Sequence, residues 1–203
     1  MAIDRKRFFD RIRGPLFDGR LRAGQVAGIE AVIDCFEAVA PDGDARFLAY
    51  MLATAHHETG RTMQPVRETF ADSDDRAIAI LDRAFAAGRL PSVTRPYWRR
   101  DADGKSWLGR GLVQLTHRVN YERMSDRAGV DIVAEPHRAM EPAVSAAILV
   151  HGMLDGAFTG RRLAHHFDGA RSDWTGARRI INGRDKAALV ASYGRRYLGA
   201  MGE

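Results

Sequence analysis

Cysteine is nearly missing from this 203-residue chain, with Cys35 alone, so no intrachain disulfide can hold the fold together. Cys35 lies within the apolar-patterned residues 26–40 and reads as a small buried hydrophobe rather than a catalytic thiol. Long hydrophobic runs are missing too. After Met-Ala-Ile-Asp-Arg-Lys-Arg-Phe-Phe no stretch is apolar and long enough for a signal-peptide core or a membrane span. The expectation is synthesis in the cytoplasm, no stable membrane insertion, and release by another route if the protein acts outside. No tandem repeat or low-complexity tract is present, which excludes solenoids and repeat arrays.

What is present has ordinary globular proportions. A hydrophobic share of 45% and a charged share of 28% leave no room for long disordered tails. The length suits one sizeable core, so residues 1–203 are read as a single domain with two lobes around a cleft, and as a monomer. The net charge of +5 favours anionic surfaces such as nucleic acid, acidic wall polymers or membranes, without choosing among them.

The pattern is mainly α. Val26, Ile29, Val32, Ile33, Phe36 and Val39 keep the spacing of an amphipathic helix. The turn Pro41-Asp-Gly-Asp follows, and Asp44 suits an N-cap. A second helix over residues 45–58 carries an apolar stripe of Phe47, Leu48, Met51, Leu52 and Ala55. Residues 74–90 form a further helix closed by Gly88 and Pro91, whereas residues 92–111, rich in Arg, Asp, Gly and aromatics, have no period and read as an irregular segment lining a site. Residues 116–128, 142–156, 173–181 and 186–201 are the remaining predicted helices. Pro142 fits a first turn and Gly183 a C-terminal cap.

Glu58 continues the apolar stripe of its helix near the C-terminal end. Burial and the negative end of the helix dipole both disfavour a carboxylate there, so the expectation is a raised pKa and a retained proton, as a glycosidase general acid needs. The plainer alternative is a frayed end with Glu58 in solvent. Glycoside hydrolysis needs a second carboxylate, and Glu68 follows beyond Pro65. On one unbroken helix the two would stand about 15 Å apart, beyond the roughly 6.5–9.5 Å of an inverting pair. Gly60 and Pro65 break the helix, so the chain can fold back. For Glu68 the plainer reading is a solvated carboxylate paired with Arg67; Asp72, Asp74 and Asp75 compete by residue type.

His56-His57-Glu58 invites a zinc reading, but the position of the motif's second His holds Arg61. His165 and His166 would have to join by long-range coincidence, so neither metal nor cofactor is expected.

Two blocks carry a family likeness. Ala55-His-His-Glu-Thr-Gly60 and Gly109-Arg-Gly-Leu-Val-Gln-Leu-Thr-His-Arg-Val-Asn-Tyr121 together resemble family 19 glycoside hydrolases, most closely the bacterial and phage chitinases and endolysins. Arg13-Gly-Pro-Leu-Phe17, Met63-Gln-Pro-Val-Arg-Glu68, Tyr97-Trp-Arg-Arg-Asp-Ala-Asp-Gly104 and Ile180-Ile-Asn-Gly183 extend it through most of the chain. The resemblance implies a mainly α, lysozyme-like fold of two helical lobes around a substrate cleft, hydrolysing β-1,4 links in N-acetylglucosamine-containing polymers with inversion. It implies Glu58 as acid, Glu68 as base activating a water, and Thr116 holding that water. It also implies sugar contacts at His57, Gln114, Asn120, Tyr121 and Asn182, since amides and hydroxyls read neutral sugar groups. Tyr97, Trp98 and Trp107 offer flat faces for sugar rings, with core packing as the equal alternative.

Three departures accompany the likeness. Leu108 stands where many relatives carry an aromatic, plant-type disulfides and loops are missing, and the Arg those members place beside the catalytic Glu has no secure counterpart, although Arg195 and Arg196 lie close. Within the enzyme class the polymer is chitin or peptidoglycan, and a short, basic, disulfide-free chain favours a peptidoglycan-degrading endolysin. From another class comes a helix-turn-helix nucleic-acid binder, built from two short helices around Asn182-Gly183 with Arg178, Arg179, Arg184, Arg195 and Arg196. That reading leaves Glu58 and the Gln114–Asn120 stretch without a purpose, so no nucleic-acid partner is expected. A catalytically dead wall-binding module is the third reading, opposed by the presence of both Glu58 and Glu68.

Overall fold

The computed structural model describes residues 3–202. Seven α-helices carry them: α1 (Arg5–Phe17), α2 (Ala23–Val39), α3 (Ala45–Glu58), α4 (Asp74–Ala86), α5 (Arg118–Ala128), α6 (Pro142–Asp155) and α7 (Ala187–Met201). Strand is confined to two antiparallel pairs of two-residue segments, β1 (Val66–Arg67) with β2 (Arg110–Gly111) and β3 (Phe167–Asp168) with β4 (Arg171–Ser172). No described helix is long and apolar enough to cross a membrane.

The centre of the molecule is α3. Asp44 caps it by accepting from the Arg46 N–H at 2.8 Å, as its residue type predicts. The helix is buried on nearly all sides, from Leu48 through His56, because α7, α2 and α6 pack around it. The expected apolar stripe is therefore only part of its buried surface, and Phe47 is the partly exposed member. In α2 the predicted face is buried from Ile29 to Phe36, whereas Val39 is 40% exposed at the helix end. Pro142 opens α6 and Gly156, left-handed at φ 76°, ends it.

The structure departs from the predicted elements in two places. Residues 173–181 do not form an α-helix; they make a 3₁₀ turn over Gly176–Ile180, and Gly183 caps nothing in the left-handed region. Helix α1 has no counterpart in the sequence reading, because Gly14 and Pro15 interrupt its pattern. Pro15 lies in its last turn, and the helix is held by packing instead, with Phe8 stacked on Tyr197 of α7 at 6.3 Å.

The apolar residues gather in two clusters. The larger is built on α1, α2, α3, α5, α6 and α7; the smaller joins Ala77 and Leu81 of α4 to Trp98 and Leu108 of the irregular segment. Leu108 is fully buried there, which explains its apolar identity: in this chain the position fills a core.

Candidate active site

Glu58 ends α3 on the larger cluster with its side chain 17% exposed, and its Oε1 accepts from Nη1 of Arg178 at 2.5 Å. Arg178 itself is 2% exposed. Its Nε donates to the carbonyl of Asp185 at 3.0 Å, and its own carbonyl accepts the Asn182 N–H at 2.9 Å. The Ile180–Gly183 stretch thus wraps the arginine that meets Glu58. Arg178 is thus the charged partner of Glu58, one that helix periodicity does not reveal. Glu58 Oε2 has no protein partner among the described residues.

The arginine beside Glu58 is Arg178 rather than Arg195 or Arg196. Those two act elsewhere: Arg195 lies over the Trp174 ring, and Arg196 donates to the Pro15 carbonyl. The buried Arg178 and the 3₁₀ turn also remove the helix-turn-helix reading, which needs an α-helix there and exposed arginines.

Beyond Glu58 the helix breaks as its residues predict. Gly60, Arg61 and Met63 all have positive φ, as do Thr69 and Phe70 at the far end of the segment. The loop closes on itself, since the Phe70 ring lies 3.4 Å from where a Cβ on Gly60 would stand. Glu58 and Glu68 each sit two residues from that contact. Glu68 is half-buried, and its position is set by hydrogen bonds: Tyr97 Oη donates to Oε1 at 2.6 Å, the Gly109 N–H donates to Oε2 at 2.8 Å, and the Glu68 N–H donates to the Gly109 carbonyl at 2.7 Å. Burial and then the Glu68 carboxylate push the Tyr97 hydroxyl well above its usual pKa, so it stays a donor.

The ribbon of β1 and β2 holds that arrangement. Val66 faces Gly111 and Arg67 faces Arg110, which sets two cations side by side. Asp74, in the first turn of α4, answers both: it bonds Arg67 Nε at 2.8 Å and Arg110 Nη2 at 2.5 Å. Against the effect of its burial, the two guanidinium groups hold its carboxyl below the usual range. Arg67 is therefore committed to Asp74 rather than to Glu68, and Asp74 is a clamp rather than a rival catalytic acid. Asp72 and Asp75 are exposed and paired with Arg76 and Arg100. Gly111 adopts φ 91°, and a Cβ there would meet Ser145 Oγ at 2.6 Å; only glycine serves at that point of the block.

The remaining expected residues divide. Trp98 and Tyr121 are fully buried and Trp107 is 6% exposed. Trp98 Nε1 donates to Asp82, Trp107 Nε1 to Asp101, and Tyr121 Oη to the Leu108 carbonyl. These three pack and bind inside the protein and present no face to a sugar; burial takes the Tyr121 hydroxyl up to about 12. Gln114, at φ 55°, donates Nε2 to the Val66 carbonyl at 2.8 Å, so it pins the ribbon under Glu68. Asn120 donates to the Thr116 carbonyl at 2.8 Å. The Thr116 hydroxyl is partly exposed and has no protein partner among the described residues, and Asn182 is exposed in the loop that wraps Arg178. His57 is half-buried beside Glu58; burial lowers its pKa while the Glu58 charge pulls the other way. His56 points into the core, bonding Tyr197 Oη at 3.0 Å. No cluster of metal-ligating residues occurs among the described residues.

No family model and no curated protein matches the chain. Solved structures do. The chain is similar to chitinase C of Streptomyces griseus HUT6037, with 18% identity over 98% of this chain and 76% of that one, at a TM-score of 0.59. It is similar to a bacterial family 19 chitinase, with 20% identity over 100% and 96% and a TM-score of 0.60, and to a family 19, class IV chitinase of Zea mays, with 16% identity over 95% and 91% and a TM-score of 0.56. The mainly α, lysozyme-like architecture of this chain is thus the fold of the family 19 chitinases.

Proposed function

We propose that the protein is an inverting glycoside hydrolase that cleaves β-1,4 bonds in an N-acetylglucosamine-containing cell-wall polymer. The polymer is peptidoglycan, reached after release from the cell that makes the protein, as for a phage or prophage endolysin. The observation that carries the reading is the pair of carboxylates held by unlike surroundings. Glu58 lies on the large cluster with one oxygen on Arg178 and the other free. Glu68 lies beside the small cluster, with both oxygens accepting hydrogen bonds. Similarity to chitinases of the same fold supports the substrate class.

In this mechanism Glu58 takes up a proton on Oε2 once bound substrate shields it from water, and gives it to the glycosidic oxygen as the bond to the anomeric carbon breaks. Glu68, its carboxylate aimed by Tyr97 and the Gly109 N–H, takes a proton from a water held by the Thr116 hydroxyl. The water oxygen joins the anomeric carbon from the opposite face, which inverts it. Arg178 orients Glu58 and stabilises the carboxylate left after proton transfer. His57, Asn120 and Asn182 hold sugar groups, while Gln114 positions the ribbon.

The test compares wild type, Glu58→Gln and Glu68→Gln on permeabilised Gram-negative walls and on soluble chitin oligomers, recording product masses and anomeric form. Hydrolysis lost in both variants, with an inverted product from wild type, is expected. Undiminished cleavage by Glu58→Gln defeats the mechanism, and a retained anomer replaces it with a nucleophilic one. Cleavage of chitin with intact walls untouched moves the substrate to chitin.

A further inference from the structure

A concavity of about 630 Å³ opens just past the end of α3, between the turn that follows Glu58 and the α1–α2 connection. Arg20, Arg22 and Arg61 line it, with Asp18 as the acid among the lining residues. Asp18 is taken up by an ion pair with Arg61. Arg20 and Arg22 have no carboxylate partner among the described residues, and both are exposed. Three cations against one anion leave the concavity at +2.

Its walls are fixed. Gln25 Nε2 donates to the Arg61 carbonyl at 2.9 Å, and Gln64 Nε2 donates to the Gly24 carbonyl at 2.6 Å. These amides tie the turn to the start of α2, so the guanidinium groups stand on a rigid frame. Gly28 lets the two segments approach, for a Cβ there would lie 1.7 Å from the Met63 carbonyl oxygen. Arg61 holds a left-handed backbone, φ 72°, a conformation that costs a non-glycine residue energy and persists only where its surroundings fix it.

We propose that this concavity is a binding site for carboxylate groups carried as side substituents on the glycan strand, which makes it the feature that selects an acidic wall polymer over neutral chitin. The inference rests on the glycosidase reading above. A guanidinium group offers a planar fork that matches a carboxylate, and two of them stand here with no carboxylate of the described residues to compete. The lining begins at Gly60, two residues from Glu58, a span of at most about 7 Å of chain. With the strand bound at Glu58 running past Gly60, its neighbouring substituents meet Arg20 and Arg22. A polymer of N-acetylglucosamine alone has no group to pair with them. Peptidoglycan has carboxylates on its stem peptides, and on its lactyl ethers wherever the stem peptide is absent.

The test uses Arg20→Ala/Arg22→Ala and the charge-preserving Arg20→Lys/Arg22→Lys, each checked for an unchanged thermal midpoint. Binding is measured by co-sedimentation with peptide-bearing sacculi and with sacculi stripped of peptides by an amidase, which keep free lactyl carboxylates; turnover is measured on these and on neutral chitin oligomers. The alanine pair is expected to weaken binding to acidic strands roughly tenfold, with KM rising and kcat held. The lysine pair recovers part of the loss, and added salt weakens wild type toward the alanine pair. Loss confined to peptide-bearing sacculi assigns the site to stem-peptide carboxylates, loss confined to stripped sacculi assigns it to the lactyl group, and loss on both means that it takes either carboxylate. Equal binding by wild type and the alanine pair overturns the site, as does no binding by wild type, whatever the enzyme cleaves. Arginine-dependent sedimentation without hydrolysis keeps the site and rejects the glycosidase reading instead.

Discussion

Replacing Arg178 with alanine removes two hydrogen bonds from a side chain that is 2% exposed and leaves Glu58, 17% exposed, without its partner. The bond to a carboxylate is worth about 1.5–3 kcal/mol and the one to the Asp185 carbonyl about 1 kcal/mol. An unpaired buried carboxylate adds a penalty that places such truncations at about 3–5 kcal/mol. Glu58 can turn part of its carboxyl to water, so the lower end applies, about 3 kcal/mol. For a chain of this size that lowers the thermal midpoint by about 6–12 °C. The assay is a double-mutant cycle by urea or thermal unfolding at neutral pH, using Arg178→Ala, Glu58→Gln and the double variant. If the ion pair carries the energy, Arg178→Ala costs less in the Glu58→Gln background, with a coupling of about 2 kcal/mol. Costs that add within about 0.5 kcal/mol would show that Arg178 stabilises the fold through its own packing, and the reasoning would fail.

Further outcomes follow from the same structure. Tyr97→Phe removes one of the two donors that aim Glu68; kcat should fall about tenfold or more with a stability loss near 1 kcal/mol, and unchanged kcat would exclude Tyr97 from the site. Burial depresses His56 to about 4 from 6.5, so the unfolded chain takes up this proton first. Stability is fully present above pH 6.5 and is lost as pH falls toward 4, by about 3 kcal/mol over that window. Urea titrations at both pH values should show a shallower decline in His56→Gln than in wild type, and parallel declines would count against this assignment. Gly28→Ala places a Cβ within 1.7 Å of a backbone carbonyl; a loss above about 3 kcal/mol or failure to fold is expected, and a near-neutral midpoint would mean that the α2 contact is loose.

Much of this could be read from residues alone where the signal is local. The cap at Asp44 and the limits of α3 follow from one residue type and one apolar period, and α6 from Pro142 and Gly156. Glu58 at the end of that period and the break at Gly60 are equally local. What escaped is long-range or three-dimensional. Arg178 meets Glu58 across 120 residues of chain, and a repeated Arg-Arg pair in a short segment looks like a basic surface. Trp98, Trp107 and Tyr121 look the same in sequence whether they face a sugar or a core; their own burial and their partners within the protein, Asp82, Asp101 and the Leu108 carbonyl, decide it. Helix α1 was hidden by Gly14 and Pro15, whose cost tertiary packing offsets. The 3₁₀ turn at Gly176–Ile180 reads as an α-helix in sequence because the two share nearly the same short spacing.

The ribbon of β1 and β2 has a consequence for how such a site can diversify. Glu58 is fixed to the most buried helix of the molecule, where any shift disturbs the whole core. Glu68 hangs on two residue pairs, one glycine N–H and one tyrosine hydroxyl, clamped from outside by Asp74. One carboxylate is the anchored jaw and the other the adjustable one. Small changes in a few ribbon residues reset the gap between them while the core sequence stays as it is.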